Sequence, residues 1–249
     1  MHGLISLYGW SSGLDALALL NQTTTLVQGF ALFSDVSPSD CGSIISAGRE
    51  KHYRRKQTIF AEGDPVRQVV LLLSGFVKIK QLGLNGNEVI LRVTGVGEIV
   101  GAFRLSVNYH HCSTAQATQP STAIVWDSAT FERLLGSFPA FRRNTVRALE
   151  ERLQEMEQRF REVSTEKVGS RLSSELLRLS NRLGHTVNGK GLEISLSRLE
   201  LAQLTGTTLF TVSRLLSRWQ KLGIVSIGRE AVSVLDFAAL TQLTLKRND

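Results

Sequence analysis

With 249 residues and 27.5 kDa, the chain is long for one domain and comfortable for two. A hydrophobic share of 42% against 20% charged describes an ordinary globular protein, and no window approaches the ~18 uninterrupted apolar residues of a membrane helix. Two cysteines, Cys41 and Cys112, form no CxxC pair, which argues against a disulfide framework, a zinc ribbon or a four-cysteine iron–sulfur cluster within one chain, so a reduced cytoplasmic protein without a membrane partner is expected.

The net charge of +7 is unevenly placed, because twelve basic and only seven acidic residues lie from Glu166 onward. A basic C-terminal third fits a polyanion, since each neutralised phosphate releases condensed counterions. A solvated basic surface fits the same count, so charge alone does not decide.

The first 28 residues are polar and irregular, with Gln-Thr-Thr-Thr at Gln22 to Thr25, and read as a frayed or helical extension without a secretory signal. Residues 29–138 read as a separate β-roll domain. Between Lys56 and Trp126, short β-branched runs (Val69 to Leu73, Phe76 to Ile79, Val89 to Val93, Ile99-Val100, Ala123 to Trp126) alternate with glycines. Asn85-Gly86 is the strongest hairpin signal among them. Such spacing predicts a small antiparallel barrel or roll.

Past Pro139 the period changes. Val146, Leu149, Leu153, Met156, Phe160 and Val163 recur at alternating spacings of 3 and 4, a heptad seam on a helix otherwise rich in Arg and Glu. So narrow a stripe predicts a dimerisation helix over 139–165, with packing against the chain's own roll as the alternative. Residues 166–249 read as helical to about Lys221, ending in a hairpin in which Ile224 to Ile227 and Val232 to Leu235 flank Gly228 to Ala231. That hairpin is read as a two-stranded wing.

Ser197-Arg198-Leu199-Glu200 is a capping box that opens one helix, Thr205-Gly206 closes it, and Thr207-Thr208 opens another. Ala202, Gly206, Val212 and Leu215 supply the close approach, the left-handed turn and the core that a helix-turn-helix needs. The outer face of the second helix then carries Thr207, Thr208, Phe210, Thr211, Arg214, Ser217 and Arg218. Arg214 suits a guanine edge, a Thr methyl or Phe suits a thymine methyl, and first-turn amides suit phosphate. A helical hairpin that binds protein is the rival reading.

From about Phe33 to Leu240 the chain resembles the Crp/Fnr family of transcription regulators. Ile59 to Asp64, Val70 to Leu73 and Gly75 to Ile79 resemble the opening of that family's cyclic-nucleotide-binding-like jelly roll. Gly97-Glu98 is similar to the start of its phosphate-binding cassette, and Thr205 to Val225 to its helix-turn-helix. The resemblance implies an α+β protein: an N-terminal antiparallel β-roll, a long dimerisation helix and a C-terminal winged helix-turn-helix. It also implies a homodimer on a palindromic double-stranded DNA operator, contact with RNA polymerase and a small-molecule effector. By alignment Arg214 matches the family's guanine-reading arginine, Ser213 the serine beside it in some branches, and Phe210 a cytosine-reading glutamate of many relatives.

Departures from the pattern bear on the effector. Where cyclic AMP binders carry an Arg-Ser pair for the cyclic phosphate, this chain has His111-Cys112, followed by Ser113. Where they place Thr-Ser against the adenine, it has Met156-Glu157. The effector candidates are therefore Gly97, Glu98, His111, Cys112, Ser113 and Met156, and cyclic AMP is not the expected ligand because the bidentate guanidinium is gone. His110-His111-Cys112 leaves haem as an alternative, since haem iron takes His or Cys ligands; an ordinary loop is the plainer reading. A regulator that needs no effector is a further alternative. A cupin-like metalloenzyme would need spaced histidines, but His110 and His111 are adjacent and His2, His52 and His185 lie elsewhere. With no nucleophile–base constellation and no P-loop, a non-enzyme is expected.

Overall fold

The computed structural model describes residues 13–101, 109–183, 185–186 and 192–245; His2, the side chain of His185 and the middle of the Gly97 to Ser113 segment lie outside them. Two helices precede the roll, α1 (Gly13–Gln28) and α2 (Pro38–Ser46), joined through a short 3-10 turn at Ala31–Phe33. The N-terminal extension is helical from Gly13 to Gln28, its first twelve residues lying outside the described ones, and Val27 near the close of α1 is fully buried. Ser37 caps α2 by accepting from the Asp40 amide, with Pro38 in the first turn.

Eight strands follow: β1 (Arg49–Tyr53), β2 (Thr58–Phe60), β3 (Gln68–Ser74), β4 (Val77–Leu82), β5 (Glu88–Thr94), β6 (Ile99–Val100), β7 (Thr114–Ala117) and β8 (Ser121–Asp127). They pair antiparallel into two four-stranded sheets, ordered β1-β8-β3-β6 and β2-β7-β4-β5. Val70 and Leu72 of β3 join Val77, Ile79, Ala115 and Val125 in one apolar cluster, whereas Val69, Leu71 and Leu73 join the helices in another. Burial on both faces makes β3 a continuous apolar run instead of an alternating one. Its neighbour β8 sends the Trp126 Nε1–H to the Ile44 carbonyl at 2.8 Å, tying the sheet to α2.

Three of these strands escape a periodicity reading. β1 is a charged sheet edge of which only Tyr53 is buried, β2 has three residues, and β7 buries only its two alanines. Helix α3 (Ser128–Ser137) is likewise additional, capped by Asp127, which accepts from the Thr130 amide and hydroxyl.

Pro139 opens α4 (Pro139–Thr165), the 27-residue helix that carries the heptad seam. Asn144 fastens it to the 3-10 turn by donating to the carbonyls of Leu32 and Ser34 at 3.1 and 2.7 Å. Beyond it come α5 (Val168–Leu183), β9 (His185–Thr186), β10 (Leu192–Ile194), α6 (Arg198–Thr205), α7 (Leu209–Lys221), β11 (Val225–Ile227), β12 (Val232–Val234) and α8 (Phe237–Leu245). This region is not helical throughout, because β9 and β10 interrupt it. The wing is wider than a hairpin, since β12 pairs with β10 as well as β11 to give a sheet ordered β11-β12-β10-β9. Nor does the chain end at the wing: Asp236 accepts from the Ala239 amide and starts α8, whose Leu240 is fully buried. The architecture is α+β, and among the described residues no helix is long and apolar enough to cross a membrane.

Candidate DNA-binding surface and effector cavity

The capping box forms as its residue types require: Ser197 Oγ accepts from the Glu200 amide at 3.2 Å, and the Glu200 carboxylate accepts from the Ser197 amide at 3.0 Å. α6 stops at Gly206, whose φ of 62° and ψ of 46° lie in the left-handed region. Nothing stands within 4 Å of a side chain built there, so only backbone strain opposes substitution. Gly206→Ala should therefore cost about 1–2 kcal/mol, read as a lower urea midpoint at unchanged slope. A neutral substitution would contradict the left-handed turn.

Thr208 caps α7 by accepting from the Thr211 amide at 3.2 Å. Val212, Leu216 and Trp219 recur at spacings of 4 and 3 and are buried against Leu172, Leu176 and Leu201. Leu215 is half-buried, packs on the edge of the same cluster and faces Gly169 of α5, while Leu216 and Trp219 lie deeper in it. The opposite face presents Thr208, Phe210, Arg214, Ser217 and Arg218 to solvent, with Phe210 76% exposed. Thr207, Thr211 and Ser213 are half-buried beside them, and the Thr211 hydroxyl bonds that of Thr208. Among the described residues neither Arg214 nor Arg218 has an ion-pair partner. Exposed Leu209 opens the same helix and had no sequence signal of its own.

The seam of α4 is uncovered. Val146, Leu153, Met156, Phe160 and Val163 are exposed, Phe160 to 77%, while Leu149 is half-buried against the helices of the roll. Five of the six seam residues are thus free to meet another surface.

The six effector candidates do not form one site. His111, Cys112, Ser113 and Met156 line a cavity of about 500 Å³ between the roll and α4. Gly97 and Glu98 line a second cavity of about 430 Å³, and Arg92, Arg152 and Glu155 border both, forming a partition. Glu98 is engaged by Arg182 of α5 and accepts from the Gly95 amide at 3.3 Å. His111 is buried and stacks on Phe60 with centroids 3.6 Å apart; burial lowers its pKa, with Asp64 pulling weakly the other way. It is therefore a neutral aromatic wall at pH 7, not an anion receptor. His110 is exposed while His111 is buried, so the adjacent pair does not converge as a two-histidine ligand set for haem or metal. Among the described residues no three His, Cys, Asp or Glu side chains gather as a metal site.

Sequence reasoning missed Arg92, Arg152 and Arg159 of the cavity wall. The available signal was an arginine inside the apolar strand Val89 to Val93. Burial, reinforced by the neighbouring Arg152 charge, pulls Arg92 down to about 9, so it stays cationic at neutral pH.

Ion pairs tie this region to the helix-turn-helix. Arg182 on α5 bonds Glu98 and, at 2.9 Å, Glu155 of α4. Arg159 reaches Glu175 at 2.8 Å, and Arg178 reaches Glu162 at 2.7 Å. Across the roll, Lys78 bonds Glu200 at 3.1 Å and Arg55 bonds Glu230 of the wing turn at 2.5 Å. Ile90 and Val93 of β5 bury in the same apolar cluster as Leu201 and Trp219.

Comparison with known proteins matches two stretches of the chain. Residues 50–138 match the family model of the cyclic nucleotide-binding domain, and residues 170–243 that of the Crp-like helix-turn-helix domain. The chain is 27% identical over 197 residues to the anaerobic regulatory protein of Pasteurella multocida, covering 79% of this chain and 72% of that one. It is 27% identical over 217 residues to the cyclic AMP receptor protein of Thermus thermophilus, covering 87% and 98% respectively. The solved structure of FixK2 from Bradyrhizobium japonicum aligns with a TM-score of 0.68 at 24% identity, over 79% of this chain and 96% of that chain, a likeness of fold.

Proposed function

Because the chain belongs to the Crp/Fnr family, as a DNA-binding transcription regulator with an effector-binding domain and not an enzyme, we propose that it acts as a homodimer on a palindromic operator. The cavity beside α4 then receives a small effector, which is not cyclic AMP. The observation that carries the DNA reading is the outer face of α7, where Arg214 and Arg218 stand without ion-pair partners among the described residues. Unpaired guanidinium groups on an exposed helix suit a major groove lined with guanine acceptors and flanked by phosphates.

A dimer paired through the exposed seam of α4 reads two successive half-sites only if its two copies of α7 stand about 34 Å apart, one turn of the double helix. Effector coupling is supported by Glu155, which lines the cavity and also binds Arg182 of α5. A ligand that displaces Glu155 or Arg152 changes how α5, and with it the helix-turn-helix, rests on α4. The effect is a shift between two domain arrangements whose size is set by the ligand's differential affinity for them.

Arg214→Ala should weaken binding by about 1–3 kcal/mol and relax discrimination at one base pair per half-site. Competition binding against operators substituted at each position reads this out. Equal weakening on every sequence would reassign Arg214 to phosphate.

A further inference from the structure

The charge on the cavity wall narrows what it accepts. Among the described residues, the wall carries Arg92, Arg152 and Arg159 against one carboxylate, Glu155, in a lining otherwise dominated by side chains such as Ile79, Leu91, Leu149 and Met156. Arg92 rises from the inner side of β5 and is only 9% exposed. Among the described residues its guanidinium makes one hydrogen bond, to the Ile99 carbonyl at 3.3 Å. Arg152 donates to that same carbonyl at 2.7 Å and to the Gly101 carbonyl at 2.5 Å, which brings the two cations together. Arg159 Nε is buried with no hydrogen-bond partner among the described residues.

Arg159 is paired with Glu155 and Glu175, whereas among the described residues no carboxylate bonds Arg92. Glu98 bonds Arg182, and Glu155 bonds both Arg182 and Arg159. Holding like charges together away from water is costly, and an anion placed between them relieves the repulsion. Burial of Arg92 and its lowered basicity are what such strain produces.

We propose that the cavity takes an organic monocarboxylate with an apolar body, its carboxylate on Arg92 and its body against Ile79, Leu91, Leu149 and Met156. The proposal rests on the reading of this cavity as the effector site. A guanidinium with uncommitted N–H groups matches a carboxylate in a bidentate pair. The apolar walls match an alkyl or aryl group, and about 500 Å³ lies within the range that small organic ligands occupy.

The test is isothermal titration of the full-length protein with decanoate and phenylacetate, their uncharged amides, and cyclic AMP. At least one acid should bind, with its amide weaker by about tenfold or more, the worth of a charge-assisted hydrogen bond. Arg92→Gln should abolish that preference, and the acid-to-amide ratio of the unmodified protein tests the idea even if this variant folds poorly. Equal binding of acid and amide overturns the proposal, as does binding of cyclic AMP alone or of no probe. A cavity-filling Leu91→Trp variant separates the two levels. If no carboxylate binds but Leu91→Trp changes operator affinity, the ligand class fails and the effector reading stands. If neither responds, both fail.

Discussion

Leu153→Glu combined with Phe160→Glu is expected to turn the protein into a monomer and to lower operator affinity by about 10³-fold or more, down toward non-specific binding. Both side chains lie on the exposed seam of α4, and Phe160 is among the most exposed large apolar residues of the chain. Its opposite face is anchored by Phe141, Asn144, Thr145 and Glu162, so the substitutions touch nothing that holds α4 to its own chain. Glutamates facing their copies across a two-fold axis would repel in the low-dielectric seam, and water is the better alternative. A monomer engages one half-site and loses the benefit of linked binding. Sedimentation velocity checks the mass, and mobility shifts on full and half operators check the affinity. Thermal melting at low concentration guards against misfolding. A double variant that remains dimeric and binds the full operator normally would move the interface away from α4.

Arg178→Met should be the most damaging single change at the junction of α4 and α5. Its guanidinium holds two buried carboxylates, Glu162 by bonds of 2.7 and 2.8 Å and Glu175 at 2.8 Å. Glu175 keeps Arg159 and Glu162 keeps Gln158, but each loses its bidentate or nearest partner. Breaking a buried pair from one side costs about 3–5 kcal/mol, and the remaining bonds place this case near the lower end.

The pH dependence has a definite sign. Burial pushes the Glu162 carboxyl up, but the bonds from Arg178 and Gln158 outweigh it and hold it below the ordinary glutamate range. Its stabilisation is therefore complete above that range and lost as pH falls through the depressed folded-state value. In the variant burial dominates, the carboxyl rises, and the penalty is largest at neutral pH. Urea midpoints should show the gap between variant and parent narrowing from pH 7 to pH 4.5. A constant gap would mean that packing, not charge, holds the junction.

Particular elements show why some parts of this structure were legible and others not. Helix α4, the capping box at Ser197, Gly206 and the Asn85-Gly86 hairpin each depend on residues within one or two turns of one another. Strand β1 carries no apolar alternation to detect because, at a sheet edge, only Tyr53 turns inward. The short strands β9 and β10 have almost no period to detect, and they gain their place by pairing with each other and with β12. Leu215 and Leu216 differ by one position, about 100° around a helix. Spacing singles out Leu215, whereas the deeper burial of Leu216 comes from its place in the cluster with Leu172, Leu176 and Leu201.

For function, the sequence by itself determined the order of parts: a roll, a seam-bearing helix and a helix-turn-helix with a basic outer face. These follow from local period, capping and turn chemistry, which neighbouring residues carry between them. Tertiary structure alone decided which residues share a cavity. Arg92 of β5, His111 before β7 and Arg152 of α4 meet there although dozens of residues separate some of them, while Glu98 is drawn to the far side by Arg182. Neither periodicity nor spacing encodes such meetings, because they depend on how sheet and helices close over one another and which buried charges then find partners.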